Sequence, residues 1–338
     1  MNKLTKLGVS ALAGSLAAVS AANAGELTVT GGVDMSWISL EDDTTGNPIG
    51  MGSNLTFSGS GELDNGWSVA LSVAHDNKNA YSNTNVTVTV PSLGDIRIDQ
   101  GVSGTGIDRI DDITPNVWEE ADGTGLGTGI QKVRGVSSGA NIEYTPNMLP
   151  DGLVAKIAYS PETGGASAND KGSTVHYGAE QSGWDITLKA TDAIHGVAGL
   201  TFDFGMSEIT QDATNSAISG DQEEQTIAVT YAVGGFTLGY QMSEQDLGSS
   251  GSVPKQYDNE MYGITFNIND DLSVGYNNIE SDQDNDTDVE TTAESIQIAY
   301  SMGGASLRLA QASVDNAKYQ TSTLYDRDAT TLSVSLAF

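Results

Sequence analysis

Cysteine is absent from the 338-residue chain, so disulfide bridges and thiolate metal ligands are excluded. Histidine is scarce: His75, His176 and His195 stand far apart and show no zinc-ligand spacing. Basic side chains are few, 14 Lys and Arg against 45 Asp and Glu, for a formal charge of −31. Phosphate binding needs clustered Lys and Arg, so nucleic acid is excluded as a partner. An acid-rich chain can be disordered, but 38% hydrophobic residues in regular alternation argue for a fold. Long apolar runs are missing too. The longest, Leu7 to Ala22, follows Lys3 and Lys6 and ends on Ala22-Asn23-Ala24, too short and alanine-rich for a helical anchor. It reads as a secretory signal over 1–24, which leaves a single domain, 25–338.

What is present is a period of two. Leu27, Val29, Val33, Met35 and Trp37 share one face of the first segment, with Thr28, Thr30, Asp34 and Ser36 on the other. Similar alternation recurs at 52–63, 67–76, 84–90, 94–100, 138–145, 153–160, 199–210, 223–233, 236–245, 258–268, 272–281, 292–302, 305–315 and 328–338. Asn65-Gly66, Ser92 to Gly94, Gly234-Gly235, Asn269 to Asp271 and Gly303-Gly304 are hairpin turns. Longer polar connections, 40–51, 77–83, 101–136, 161–171, 211–222, 246–257, 282–291 and 316–327, alternate with them. Short turns at one end and long loops at the other are the layout of a transmembrane barrel.

"GLVAKIAYSPE" (152–162), "GLTFDFGMSE" (199–208) and "GFTLGYQMSE" (235–244) each run from a short turn toward a long connection, like equivalent strands pointing the same way. One strand between 172 and 198 then gives sixteen. Thr174 to Gln181 and Trp184 to Thr191 both qualify, with Ser182-Gly183 readable as a turn between them, so the count is open there. A soluble β-sandwich would alternate in the same way. Against it stand the length without a domain boundary, Asp, Glu, Lys and Arg in mid-strand on the polar face, and aromatics near strand ends. The aromatics Trp37, Trp67, Trp184, Tyr144, Tyr159, Tyr231, Tyr257 and Phe338 suit two interfacial girdles.

In this layout, and in the terminal strand "TTLSVSLAF" ending on Phe338, the whole chain after its signal resembles the sixteen-stranded general-diffusion porins of Gram-negative outer membranes. The resemblance implies an all-β fold, a transmembrane antiparallel β-barrel with its long third loop folded into the pore. It implies a homotrimer among lipid and lipopolysaccharide in the cell outer membrane, passing small hydrophilic solutes and ions without enzymatic activity or cofactor. It also makes Phe338 the signal for the barrel-insertion machinery. The Pro-Glu-Phe-Gly stretch of enterobacterial third loops is absent.

The third connection is far longer than an ordinary hairpin loop. If it enters the pore, Asp108, Asp111, Asp112, Glu119, Glu120 and Asp122 line one side of a constriction. Inward parity places Arg97, Lys156, Lys189 and Arg308 on the facing wall. Acids facing bases would make a transverse field, and the acid excess predicts cation preference. An external solvated loop with scattered wall charges is the plainer alternative. Asp282, Asp284, Asp286 and Asp288 alternate in "SDQDNDTDVE" and could offer oxygens to Ca2+ or Mg2+, although no EF-hand pattern surrounds them; a solvated acidic loop explains them as well.

Gly135-Val136-Ser137-Ser138-Gly139 matches the string of a nucleophile elbow, but a strand, not a helix, is expected after it. Three other functions fit parts of the pattern: a substrate-specific channel, an outer-membrane barrel enzyme and a soluble acidic β adhesin. The first needs a saturable solute site, the second a Ser–His or Asp–His pair at one rim, the third extraction without detergent.

Overall fold

The computed structural model describes residues 27–41, 46–77, 83–101, 104–164, 180–212, 218–249, 255–284 and 289–337. The segment 1–24, Phe338, Asp286 and Asp288 lie outside them. Sixteen strands form one closed antiparallel barrel. They are β1 (Thr28–Leu40), β2 (Ile49–Glu62), β3 (Ser68–Asp76), β4 (Asn83–Val90), β5 (Gly94–Asp99), β6 (Asn141–Pro146), β7 (Leu153–Ser160) and β8 (Glu180–Ala190). The second half is β9 (Leu200–Gln211), β10 (Gln222–Val233), β11 (Phe236–Asp246), β12 (Gln256–Asn267), β13 (Leu272–Asp284), β14 (Val289–Met302), β15 (Ala305–Asp315) and β16 (Arg327–Ala337).

Each strand pairs with its chain neighbours, and β16 closes the ring on β1 with Val33 opposite Leu336 and Trp37 opposite Leu332. Closure leaves no free edge, the condition for sheet in hydrocarbon, where an unpaired backbone amide finds no water. The period of two sets the two faces. On β16, Leu332 and Leu336 lie outside at 39% and 40% exposure, while Thr331 and Ser333 are buried inside. The three similar segments are β7, β9 and β11, which run the same way.

Leu309 belongs to the outer apolar band. Leu309→Arg should lower the unfolding free energy from lipid vesicles by about 2–4 kcal/mol, read from urea titrations, because hydrocarbon cannot solvate the guanidinium.

Four sequence expectations need correction. Ser182-Gly183 is not a turn: β8 runs through it with a bulge between Glu180 and Gly183. Gly183 is there for close approach, since a Cβ would come 2.9 Å from Ile209 and 3.0 Å from Val136. Residues 135–138 form a 3-10 turn, so β6 starts at Asn141, later than the alternation suggests. The connection 282–291 is mostly strand among its described residues, because β13 reaches Asp284 and β14 begins at Val289. Tyr257 faces inward, with its ring centroid 5.3 Å from that of Tyr319, and belongs to no girdle.

Candidate functional site: the loop inside the barrel

Residues 100–140 join β5 to β6, and the described part lies against the inner wall. The wall is shaped to receive it by glycines at inward positions. A Cβ at Gly239 or Gly263 would collide with Pro115, one at Gly275 would lie 2.6 Å from Val117 Cγ2, and one at Gly205 would meet Ile107 and Ile110 at 2.8 and 2.9 Å. Apolar packing completes the fit. Ala121, Leu126 and Ile130 bury against Met261, Ile279, Ala293, Ala312, Val314 and Ala329 of β12 to β16. The loop therefore occupies the lumen along β11 to β16.

Buried polar side chains fasten the loop backbone. Asp185 accepts from Ile107 N at 2.9 Å and from Val136 N at 3.2 Å. Glu224 accepts from Arg134 N and Gly135 N, both at 2.7 Å, while its other oxygen takes the amides of Gln222 and Gln245 at 2.6 Å. Gln241 accepts from Ile113 N at 2.8 Å and donates to Ile110 O, and Gln297 accepts from Trp118 N at 3.0 Å. An unpaired buried amide is costly, so each wall acceptor pins its stretch of loop. The Gly135-Val136-Ser137-Ser138-Gly139 string is one such pinned turn, and the Ser137 hydroxyl donates to the Arg134 carbonyl oxygen.

The charges arrange themselves differently from simple opposition across a gap. Lys132, on the loop, pairs with Asp112 and, at 3.0 Å, with Asp122. Burial pushes Asp111 up to about 8, with Asp112 beside it adding to the effect. Burial likewise pushes Glu120 up to about 7, again with help from Asp112. Glu119 is raised by burial and by Asp34, and the Arg308 cation opposes the shift. Asp108 accepts from Gly104 N at the start of the loop. The four wall bases do face inward, but each is matched on the wall itself. Arg97 pairs with Asp99 at 2.6 Å, Lys156 with Glu143 at 3.6 Å, Lys189 with Asp203 at 3.3 Å and Arg308 with Asp34 at 2.6 Å. Glu143 also binds Arg109 of the loop at 2.6 Å.

A closed sixteen-strand barrel with its longest loop fastened inside is matched by the sequence itself, which fits the Gram-negative porin family over residues 8–337. The chain belongs to the Gram-negative porins. It is an outer-membrane channel protein. Solved porin structures share the fold at low identity. OmpF of Salmonella typhi, in complex with daunomycin, is 11% identical with a TM-score of 0.68, covering 92% of this chain and 97% of that one. An anion-selective porin from Comamonas acidovorans is 14% identical with a TM-score of 0.66, covering 93% and 99%. OmpT of Vibrio cholerae, in a trimer form, is 12% identical with a TM-score of 0.64, covering 94% and 100%. No curated protein matches the sequence.

Of the acidic string of this porin, the structure describes Asp282 and Asp284. Asp282 and Asp284 alternate on the outer face of β13, exposed, and no three acidic or histidine side chains come together to hold an ion among the described residues. The anchors Asp185, Glu224, Gln241 and Gln297 and the glycine track escape a reading of charge patterns. Inward-parity glycines in mid-strand, Gly205, Gly239, Gly263 and Gly275, were the sequence signal that could have exposed them.

Proposed function

We infer that this porin is a passive general-diffusion channel for small hydrophilic solutes and ions, with a preference for cations and no covalent chemistry. The observation that carries the reading is the pairing of charge. Arg97, Lys156, Lys189 and Arg308 each have a wall carboxylate as partner, so the wall offers little net positive charge to the loop. The loop holds Asp111, Asp112, Glu120 and Asp122 around the ammonium of Lys132, with Glu119 beside them and nearer Arg308. An acid surplus at a narrowing raises local cation concentration and repels anions.

The reversal potential of the reconstituted channel across a KCl gradient tests this. The cation-selective sign is expected, and the anion-selective sign would overturn the reading. The preference should also grow from pH 6 to pH 9. Asp111 and Glu120, titrating near 8 and near 7, are mostly neutral at the lower pH and charged at the higher. A reversal potential that stays flat across this interval contradicts that assignment.

The assembly reading is a homotrimer seated through the face of β4 to β6. β5 and β6 are 6 residues each, too short at about 3.3 Å per residue to cross an apolar band of about 25 Å. A neighbouring copy would cover that low wall. Lipopolysaccharide headgroups would meet the outward acids of β12 to β14 through a divalent cation such as Ca2+ or Mg2+, and Phe338 would be read by the insertion machinery.

A further inference from the structure

Between the loop and the wall, at the end of the barrel that carries the long connections, lies a polar cavity of about 430 Å3. One side is loop, with Gln131, Lys132 and Arg134. The other is the upper ends of β8 to β12, with Glu180, Gln222, Gln245 and Tyr257. Its size suits a small ligand, and its charges have two signs.

Arg134 stands out among the bases inside the barrel. Lys132 is engaged by Asp112 and Asp122, and the wall bases by their own acids. The Arg134 side chain is exposed, and its guanidinium has no ion pair or hydrogen bond among the described residues. Its backbone is fixed nonetheless, because the buried Glu224 accepts from Arg134 N and Gly135 N at 2.7 Å. A bare, positioned guanidinium in so acidic a chain is a fitted receiver for a carboxylate.

The other side receives the opposite charge. Gln222 and Gln245 are 9% and 6% exposed. Both give an amide N–H to Glu224 at 2.6 Å, which leaves their carbonyl oxygens as acceptors. Glu180 accepts from the Thr163 hydroxyl at 3.2 Å and keeps acceptor capacity toward the cavity. We propose that this cavity binds zwitterionic solutes of amino-acid to short-peptide size ahead of the narrowing, Arg134 taking the carboxylate and Glu180 with the two amide oxygens taking the ammonium. A zwitterion adds no net charge, so the acidic loop beyond does not repel it as it repels an anion.

The proposal rests on the channel reading and is separable from it. In one planar bilayer, the salt current reports whether the barrel conducts at all, and titrating diglycine reports occupancy of the cavity. Diglycine should reduce the current saturably in the millimolar range, while glycolate and glycerol should give no saturable effect. Arg134→Gln should weaken the diglycine half-saturation by roughly tenfold, the loss of one charge-assisted contact. Arg134→Lys should recover part of it. A conducting wild-type channel with no saturable diglycine effect overturns the proposal, as does equal saturation by glycolate. If Arg134→Gln conducts and keeps the wild-type half-saturation, the assignment of Arg134 is also wrong. No salt current from the wild type overturns the channel reading instead.

Discussion

A channel carrying Asp111→Asn, Asp112→Asn, Glu119→Gln and Glu120→Gln together should lose roughly tenfold in its cation-over-anion permeability ratio at pH 9, since each removed charge near a narrow passage is worth a few tenths of a kcal/mol to about 1 kcal/mol after salt screening. The substitutions keep the shapes of the side chains and leave Lys132 with Asp122 at 3.0 Å, so the loop should stay seated. The contrast between variant and wild type should shrink at pH 6. There Asp111 and Glu120 of the wild type are already mostly neutral, titrating near 8 and near 7. Reversal potentials of both channels at the two pH values check this. A variant as cation-selective as wild type at pH 9 would place the selecting charge elsewhere, on the outer loops or the mouth.

Glu224→Ala should free the end of the loop without unfolding the barrel. The carboxylate receives four hydrogen bonds, from Arg134 N, Gly135 N, Gln222 and Gln245, and it is 3% exposed. Removing it strands four donors, at about 1–3 kcal/mol for each that finds no other partner. Water entering the gap will satisfy some of them, so a net loss of several kcal/mol in docking of 134–138 is the expected scale. Sheet pairing is untouched, since β10 keeps both neighbours by backbone contacts. The visible result should be a noisy, flickering current in place of a steady one, with the barrel still resistant to denaturant. A quiet trace would mean that the apolar contacts of Leu126 and Ile130 hold the loop without help.

The barrel was legible because its physics is local and repetitive. Leu332, Val334 and Leu336 alternate with Thr331, Ser333 and Ser335, which fixes the faces of β16 and, by the same rule, of the other strands. Hairpin glycines such as Gly234 and Gly303, at φ of 61°, mark turns that few other residues make. The same rule puts Arg97, Lys156, Lys189 and Arg308 at inward parity. Arg97 and Asp99 share a strand face two residues apart, but a pair such as Arg308 with Asp34, which joins β15 to β1 across the closure of the ring, was not legible. The wall bases are paired with wall acids, and Arg308 also acts on Glu119 of the loop. The path of the loop depended on Pro115 meeting Gly239 and Gly263, contacts more than 120 residues apart that no periodicity encodes. Ser182-Gly183 misled for a related reason: a glycine that permits close packing looks, in sequence, like a glycine that permits a turn.

The claim on which the rest depends is that the long loop is docked inside the barrel against β11 to β13. The chain has no cysteine, so a pair introduced at Val117 and Gly275 would be free of competing thiols. A Cβ on Gly275 would lie 2.6 Å from Val117 Cγ2, which brings the two Cβ atoms to within about 4 Å, the span of a disulfide. Val117→Cys with Gly275→Cys, oxidised in the outer membrane and then reconstituted, should cross-link nearly completely and still conduct. A pair that stays reduced under oxidant in a folded, conducting barrel would contradict the docked loop and the filter built on it.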